Sequence, residues 1–259
     1  MQDLRINGVE KSFTQIEWHG IYFDELGVEI SPHTLPTSDF YSNFYEELFN
    51  RYKNFESLPQ SWLTVKYKTA LCIVKELSNH QRILSYGCGI GYIETILAGI
   101  NPNLAIDAFD FSENASKWIS KNLLKINYTN NLSADKKYDL IYACQLLYAL
   151  SYKDCVELIR LLSGHLKPNG KILLINTSIN SDENGEISMY GGLKNKIRKI
   201  LRPIYKKIHP ILNIHKEQFW VWQRDNKKYC EMSIEANMSV SKCYHAANQS
   251  FILLTKKLV

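Results

Sequence analysis

Residues 82–98 read RILSYGCGIGYIETILA. An apolar run, ILSY at 83–86, meets three glycines at alternate positions, Gly87, Gly89 and Gly91, and Ile93, Ile96 and Leu97 then share one helical face. Strand, tight turn and helix in that order make one βα unit, and glycines at the turn let backbone approach a bound nucleotide closely. Two readings of the loop compete. The dinucleotide fingerprint G-x-G-x-x-G uses its third glycine to clear helix–strand packing and seats pyrophosphate on the helix N-terminus. Here the spacing is G-x-G-x-G, and neither Ile93 nor Thr95 restores the longer form. The phosphate reading is the weaker one.

Outward from the glycines the βα alternation continues. LAIDAFD (104–110) reads as a second strand, and Ser112 caps a helix with Ala115, Trp118 and Ile119 inward. INYT (126–129) and YDLIYA (138–143) are the third and fourth strands. Cys155, Leu158, Ile159 and Leu162 stripe the next helix, and LKPNG (166–170) is a turn feeding the buried strand KILLIN (171–176). This alternation predicts an α/β fold with a mostly parallel sheet.

Two helices precede it: Ser38 to Tyr52, with Phe40, Phe44 and Leu48 on one face, and Pro59 to about Ser78, with proline in the first turn. VEKSF and IEWHGIYF, in the first 30 residues, alternate weakly and receive no assignment. SINSDENGEISMYGG (178–192) reads as a loop. DNKKYCEMSIEAN (225–237) reads as a helix that Asn237 closes in a left-handed conformation, and MSVSKCYHAA and SFILLTKK pair as a final antiparallel hairpin. The chain divides into a lid or substrate-cap region (1–80), a core (81–177), a loop and basic amphipathic cap (178–224), and a closing helix and hairpin (225–259).

Length and composition suit one soluble core: 259 residues, 45% hydrophobic and 22% charged. No apolar run is long enough to span a bilayer, and MQDLRINGVEKSF lacks the shape of a signal peptide, so a cytoplasmic protein is expected. The six cysteines show no CxxC pair and no ligand spacing with histidine, which argues against a disulfide framework or structural zinc. The net charge of +5 is uneven: residues 193–216 hold eight Lys/Arg and no acid, leaving 23 bases against 26 acids elsewhere.

The glycine stretch resembles motif I of the class I S-adenosylmethionine-dependent methyltransferases, an acidic residue, any residue, then G-x-G-x-G. The likeness extends to Asp110 in DFS, to KKYDLIYACQLLYAL (136–150), to HLKPNGKILLIN (165–176) and to the closing helix and hairpin. It implies a Rossmann-like fold with a central seven-stranded sheet whose last strand is antiparallel, and S-adenosylmethionine as cofactor. It also implies a cofactor site at Ser85, Tyr86, Gly87, Cys88, Gly89 and Gly91. Asp110 would hold the ribose diol, Phe111 one face of adenine, Asn130 or Asn131 the adenine edge, and Cys144 and Gln145 would line the pocket. Other readings stand beside these: Asp110 as a helix-capping acid, Phe111 as core, and the asparagines as turn residues.

One departure matters. Ser85 occupies the position of the family's motif I acid, and Glu94, on the first turn after the loop, is the nearest substitute. Loss of that acid leaves open a non-catalytic relative. For an oxygen acceptor a base is needed, and Tyr148 and His33 are the candidates, with Tyr41 and Tyr45 also in the lid. YACQ at the end of the fourth strand lacks the aspartate of a catechol-type metal site, so no metal is expected. The expected reaction is O-methylation of a small-molecule or glycan acceptor, a lipid-linked saccharide among them. In the basic segment Leu193, Ile197, Ile200, Leu201, Ile204 and Ile208 follow helical spacing between the cations. It reads as a cleft cap, as an amphipathic surface on anionic membrane at the inner face, or, less favoured, as a grip on RNA phosphates.

Overall fold

The computed structural model describes residues 8–78, 81–112, 114, 115, 118, 126–177 and 215–257. Seven strands form the central sheet: β4 (Arg82–Tyr86), β5 (Ala105–Phe109), β6 (Asn127–Thr129), β7 (Tyr138–Cys144), β8 (Leu166–Asn176), β10 (Met238–Ala246) and β11 (Gln249–Lys256). Their spatial order is β10-β11-β8-β7-β4-β5-β6. Pairings from β6 across to β8 are parallel, and β11 is antiparallel to both its neighbours, β8 and β10. The chain enters the sheet at β4, works outward to β6, then returns to lay β7 on the other side of β4. That reversal opens a crevice at the carboxyl ends of β4 and β7, where open α/β sheets bind ligands.

Burial follows the patterns that predict these elements. Ile83 and Leu84 of β4, residues 140–143 of β7 and residues 172–175 of β8 are almost wholly inaccessible, as strands covered on both faces must be. One face carries α2 (Gln60–Val74) and α3 (Tyr92–Ile100); the other carries α4 (Tyr152–Gly164) and α5 (Asn226–Glu235). Cys155, Leu158, Ile159 and Leu162 of α4 are buried, Ser151 caps that helix at Asp154 N, and Asn237 closes α5 with φ 62°. Ser112 Oγ accepts from Ala115 N at 3.3 Å, and Ala115 and Trp118 are buried; Ile119 lies outside the described residues.

Three details differ from the sequence reading. Gly99, a residue suited to closing the helix that follows the glycine loop, does not end α3, which runs on to Ile100 and is closed by Asn101. LKPNG lies inside β8 as an excursion between the pairs Tyr138↔Leu166 and Leu140↔Lys171. It is packed so closely that a Cβ on Gly170 would fall 2.7 Å from the Tyr138 carbonyl oxygen. Gln218–Arg224, assigned to a loop and cap, is instead a strand, β9. It pairs antiparallel with β1 (Glu10–Gln15), from the unassigned N-terminal stretch.

This ribbon, the small hairpin β2 (Glu17–Trp18) and β3 (Ile21–Tyr22), and α1 (Ser38–Arg51), in the region expected as a lid, pack around an aromatic cluster that also takes in Ile90 and Trp118. Thr37 caps α1 at Phe40 N, and Phe40, Phe44 and Leu48 turn inward together with Phe23 and Trp220. Residues 193–214 of the basic segment lie outside the described residues. Its last two, His215 and Lys216, dock on the lid: the imidazole stacks on Tyr22 at 3.6 Å and bonds Asp24 at 3.0 Å. Among the described residues no helix is long and apolar enough to cross a membrane.

Candidate functional site

The glycine loop crosses the crevice with left-handed backbone at Gly87 (φ 76°), Gly89 (φ 56°) and Gly91 (φ 74°). Side-chain-bearing residues pay about 1–2 kcal/mol for that conformation, so the alternate glycines are what lets the loop turn. Its position is fixed by the end of β5. Gly87 N and Cys88 N both donate to the Phe109 carbonyl, at 2.8 and 3.0 Å, and Gly89 N donates to Asp110 Oδ2 at 2.8 Å. Ser112 N donates to the other carboxylate oxygen, Oδ1, at 3.0 Å.

Asp110 is buried yet lines the cavity. Burial pushes its carboxyl up, against the opposing pull of the Ser112, Gly89 and Phe111 amides. Oδ2 takes the Gly89 amide and Oδ1 the Ser112 amide, with the Phe111 amide close by, and a carboxylate's roughly four lone-pair sites leave capacity for a further donor of the kind a ribose diol supplies. Its local turn-holding role therefore leaves acceptor capacity facing the cavity.

Beneath the loop, Ser85 is buried and its hydroxyl shares hydrogen bonds with Glu94 and Tyr142. Tyr142 Oη donates to Glu94 Oε1 at 2.5 Å, linking β4, α3 and β7. Burial pushes the Glu94 carboxyl up, against the bonds from Ser85 and Tyr142. A carboxyl group from α3 thus contacts the serine at position 85. Glu94 does not line the cavity; it supports the loop from below.

The cavity above encloses about 340 Å³ between the loop and the lid. Gly87, Cys88, Gly89, Asp110, Phe111, Cys144, Gln145 and Tyr148, all expected at the site, line it together. Gln145 takes a left-handed backbone (φ 55°), its amide donates to the Ile175 carbonyl at 2.7 Å, and its side-chain oxygen accepts from Thr177. Phe111 is exposed and meets the edge of Tyr41 at 5.8 Å, so it is a cavity wall and not core. Tyr148 lies on a single 3-10 turn, Leu147–Ala149, clamped by Arg224. That fully buried guanidinium donates to the carbonyls of Leu147 (2.6 Å) and Leu150 (2.7 Å) and pairs with Glu10.

Other expected residues stand apart. Tyr86 stacks on Phe109 at 4.6 Å, and it, Ser85 and Gly91 frame the loop without lining the cavity. Asn130 and Asn131 are exposed and do not line it; the Asn131 carbonyl accepts from Thr129 Oγ1, a local turn. His33 is exposed as well and does not line it.

The histidine that lines the cavity is His19. It sits at the β2–β3 turn with φ 53°, packed against Trp18, Phe44 and Trp62. Burial, with the nearby Lys66 ammonium adding to it, pulls the imidazole down to about 4. Lys66 reaches in from α2, its Nζ 3.8 Å from Cys144 Sγ and 5.5 Å from the Trp62 ring centre. The sequence reading assigns neither to the site. The His-Gly step in IEWHGIYF is a turn signal between short apolar runs, and nothing local shows that this turn folds over the glycine loop.

A family model described as a methyltransferase domain matches residues 49–234, well over half of the chain. The chain belongs to that methyltransferase family and carries its class I, S-adenosylmethionine-dependent fold. No curated protein sequence matches it. Among solved structures it is similar to mitomycin 7-O-methyltransferase, with 14% identity and a TM-score of 0.55 over 82% of this chain and 57% of that one. It is also similar to human N-acetylserotonin methyltransferase in complex with S-adenosylmethionine: 17% identity, TM-score 0.52, 86% of this chain and 57% of that one. A third is magnesium protoporphyrin IX methyltransferase from Synechocystis PCC 6803: 13% identity, TM-score 0.53, 84% of this chain and 96% of that one. The chain thus spans less than two thirds of the first two, and at these identities the likeness concerns the fold.

The family's methyl donor, S-adenosylmethionine, fits the residues present. The loop presents bare backbone where a Cβ would be crowded: on Gly89 it would lie 3.0 Å from Tyr45 Oη, and on Gly87 3.3 Å from the Leu146 methyls. Asp110 adds a carboxylate with free acceptor capacity beside the aromatic wall of Phe111.

Proposed function

We propose that the protein transfers the methyl group of S-adenosylmethionine to a hydroxyl oxygen of a small acceptor held in the aromatic cavity. The observation that carries this reading is the placing of His19 and Tyr148 on the wall that also presents the glycine loop and Asp110. When bound, the donor supplies an electrophilic methyl carbon on sulfur and departs as a thioether. The rest is positioning and proton transfer by the chain.

His19, with its imidazole held near 4, is the free base at neutral pH and can accept the acceptor's hydroxyl proton as oxygen bonds to the methyl carbon. His19 replaces His33 in that role. Tyr148 is pushed up by burial and by Tyr41 and Cys144, so it keeps its proton and acts as a donor that orients the acceptor oxygen. The products are a methyl ether, S-adenosylhomocysteine and an imidazolium that returns its proton to solvent.

Of the two acceptor classes the sequence leaves open, the walls favour a planar hydroxylated small molecule over a saccharide. Trp18, Trp62, Tyr92 and Phe111 line the cavity with aromatic rings, against which a planar ring can stack, while hydroxyl-bearing side chains such as Thr37, Tyr41 and Tyr148 can orient its substituents. The test is methyl transfer from labelled S-adenosylmethionine to matched panels of phenols and saccharides. Phenol turnover that falls at least a hundredfold in His19→Gln is expected. Turnover confined to saccharides, or unaffected by that substitution, would overturn the acceptor class or the base.

A further inference from the structure

Lys66 is the cavity's one cationic side chain among the described residues; the buried Glu94 carboxyl lies within reach of its charge, but the two form no direct ion pair. Its nearest polar contact is Cys144 Sγ at 3.8 Å, a weak acceptor, and burial pushes that thiol up so that it keeps its proton. Among the described residues no carboxylate forms an ion pair with Lys66, whereas Lys136, Lys167, Lys228 and Lys242 each have one. The two acids on the cavity wall are engaged elsewhere. Asp110 takes the Gly89 and Ser112 amides, and Asp154 takes the Ser151 hydroxyl at 2.6 Å. The ammonium, beside Trp62 and the end of β7, has Glu94 within electrostatic reach but no anion in direct contact, and a carboxylate in the cavity could supply that contact.

We propose that Lys66 is a carboxylate-binding post: its ammonium pairs with a carboxylate carried by a molecule bound in the cavity. This rests on the methyltransferase reading of the same site. Two sources share that chemistry, the amino-acid end of the methyl donor and an acidic substituent on an aromatic acceptor. Either gives a charge-assisted hydrogen bond in a partly desolvated setting, where such bonds are strong.

Calorimetric titration of the wild type, Lys66→Met and Lys66→Arg separates the sources. The probes are S-adenosylhomocysteine, methylthioadenosine (the same nucleoside and thioether without the amino-acid carboxylate), salicylate and salicylamide. If the donor supplies the carboxylate, Lys66→Met weakens S-adenosylhomocysteine by about ten- to a hundredfold and leaves methylthioadenosine unchanged. If the acceptor does, the wild type prefers salicylate over salicylamide and Lys66→Met abolishes that preference. Lys66→Arg keeps most of the affinity in either case. The proposal is overturned if Lys66→Met binds both carboxylate probes as the wild type does, or loses the uncharged probes in equal measure. A wild type that binds no S-adenosylhomocysteine would count against the methyltransferase reading, and the salicylate pair would still decide the role of Lys66.

Discussion

Arg224→Met is expected to destabilise the protein by about 3–5 kcal/mol, the range for removing one partner of a buried charged network. The geometry supports that size. Arg224 is fully buried and makes two bonds to carbonyls, Leu147 O at 2.6 Å and Leu150 O at 2.7 Å, besides its pair with Glu10. Hydrogen bonds to a charged group contribute about 1.5–3 kcal/mol each. Methionine fills similar space and leaves both carbonyls without their donor. Glu10 is partly exposed and can turn to water, which keeps the total near the lower end of the carbonyl sum. Since whole domains are stable by about 5–15 kcal/mol, Arg224→Lys serves as the milder companion, with about half the loss. Urea unfolding followed by tryptophan fluorescence reads both. The clamp also fixes the turn carrying Tyr148, so acceptor KM should rise in Arg224→Lys while S-adenosylhomocysteine affinity changes little. A loss below about 1 kcal/mol for Arg224→Met would refute the reasoning, because no buried group could then have been left unpaired.

Gly89→Ala should lower S-adenosylhomocysteine affinity at least tenfold, because φ 56° is strained for alanine and its methyl would lie 3.0 Å from Tyr45 Oη. Adding Tyr45→Phe should recover part of the loss, and wild-type affinity in the single variant would contradict the packing described. His19 titrates near 6.5 in the unfolded chain and near 4 when folded. The unfolded state therefore binds more protons between those values, and stability is complete above about pH 7 and falls as pH drops through 6.5 towards 4, by up to about 3 kcal/mol. Urea midpoints of the wild type and His19→Gln should accordingly converge as pH is lowered from 7 to 4.5; parallel profiles would show that the imidazole is not held neutral.

The central sheet was legible because its strands are short continuous apolar runs closed by turn residues, and because each helix shows its stripe locally. ILSY, YDLIYA and KILLIN need no partner to be recognised as buried strands. The lid was not legible for a physical reason. EKSFTQ and QFWVWQR pair across more than two hundred residues, Glu10 opposite Arg224, and neither segment alone declares that partner. The same kind of distance hid His19, which reaches the cavity from the β2–β3 turn, and Lys66, whose contact with Cys144 joins α2 to β7 across 78 residues. His33 stands in SPHTLP, a loop by composition, and is exposed without lining the cavity. Glu94 was the opposite case: three residues after Gly91, one helical turn brings its side chain back beneath the loop to Ser85.

The central claim is that the glycine loop and Asp110 form a site for the sulfur cofactor despite serine at position 85. Calorimetric titration of the purified protein with S-adenosylmethionine and S-adenosylhomocysteine, with NAD as control, tests it most directly. Micromolar binding of both sulfur compounds, no binding of NAD, and loss of binding in Asp110→Ala are the predicted results. Failure of both sulfur compounds to bind, or unchanged affinity in Asp110→Ala, would contradict the account.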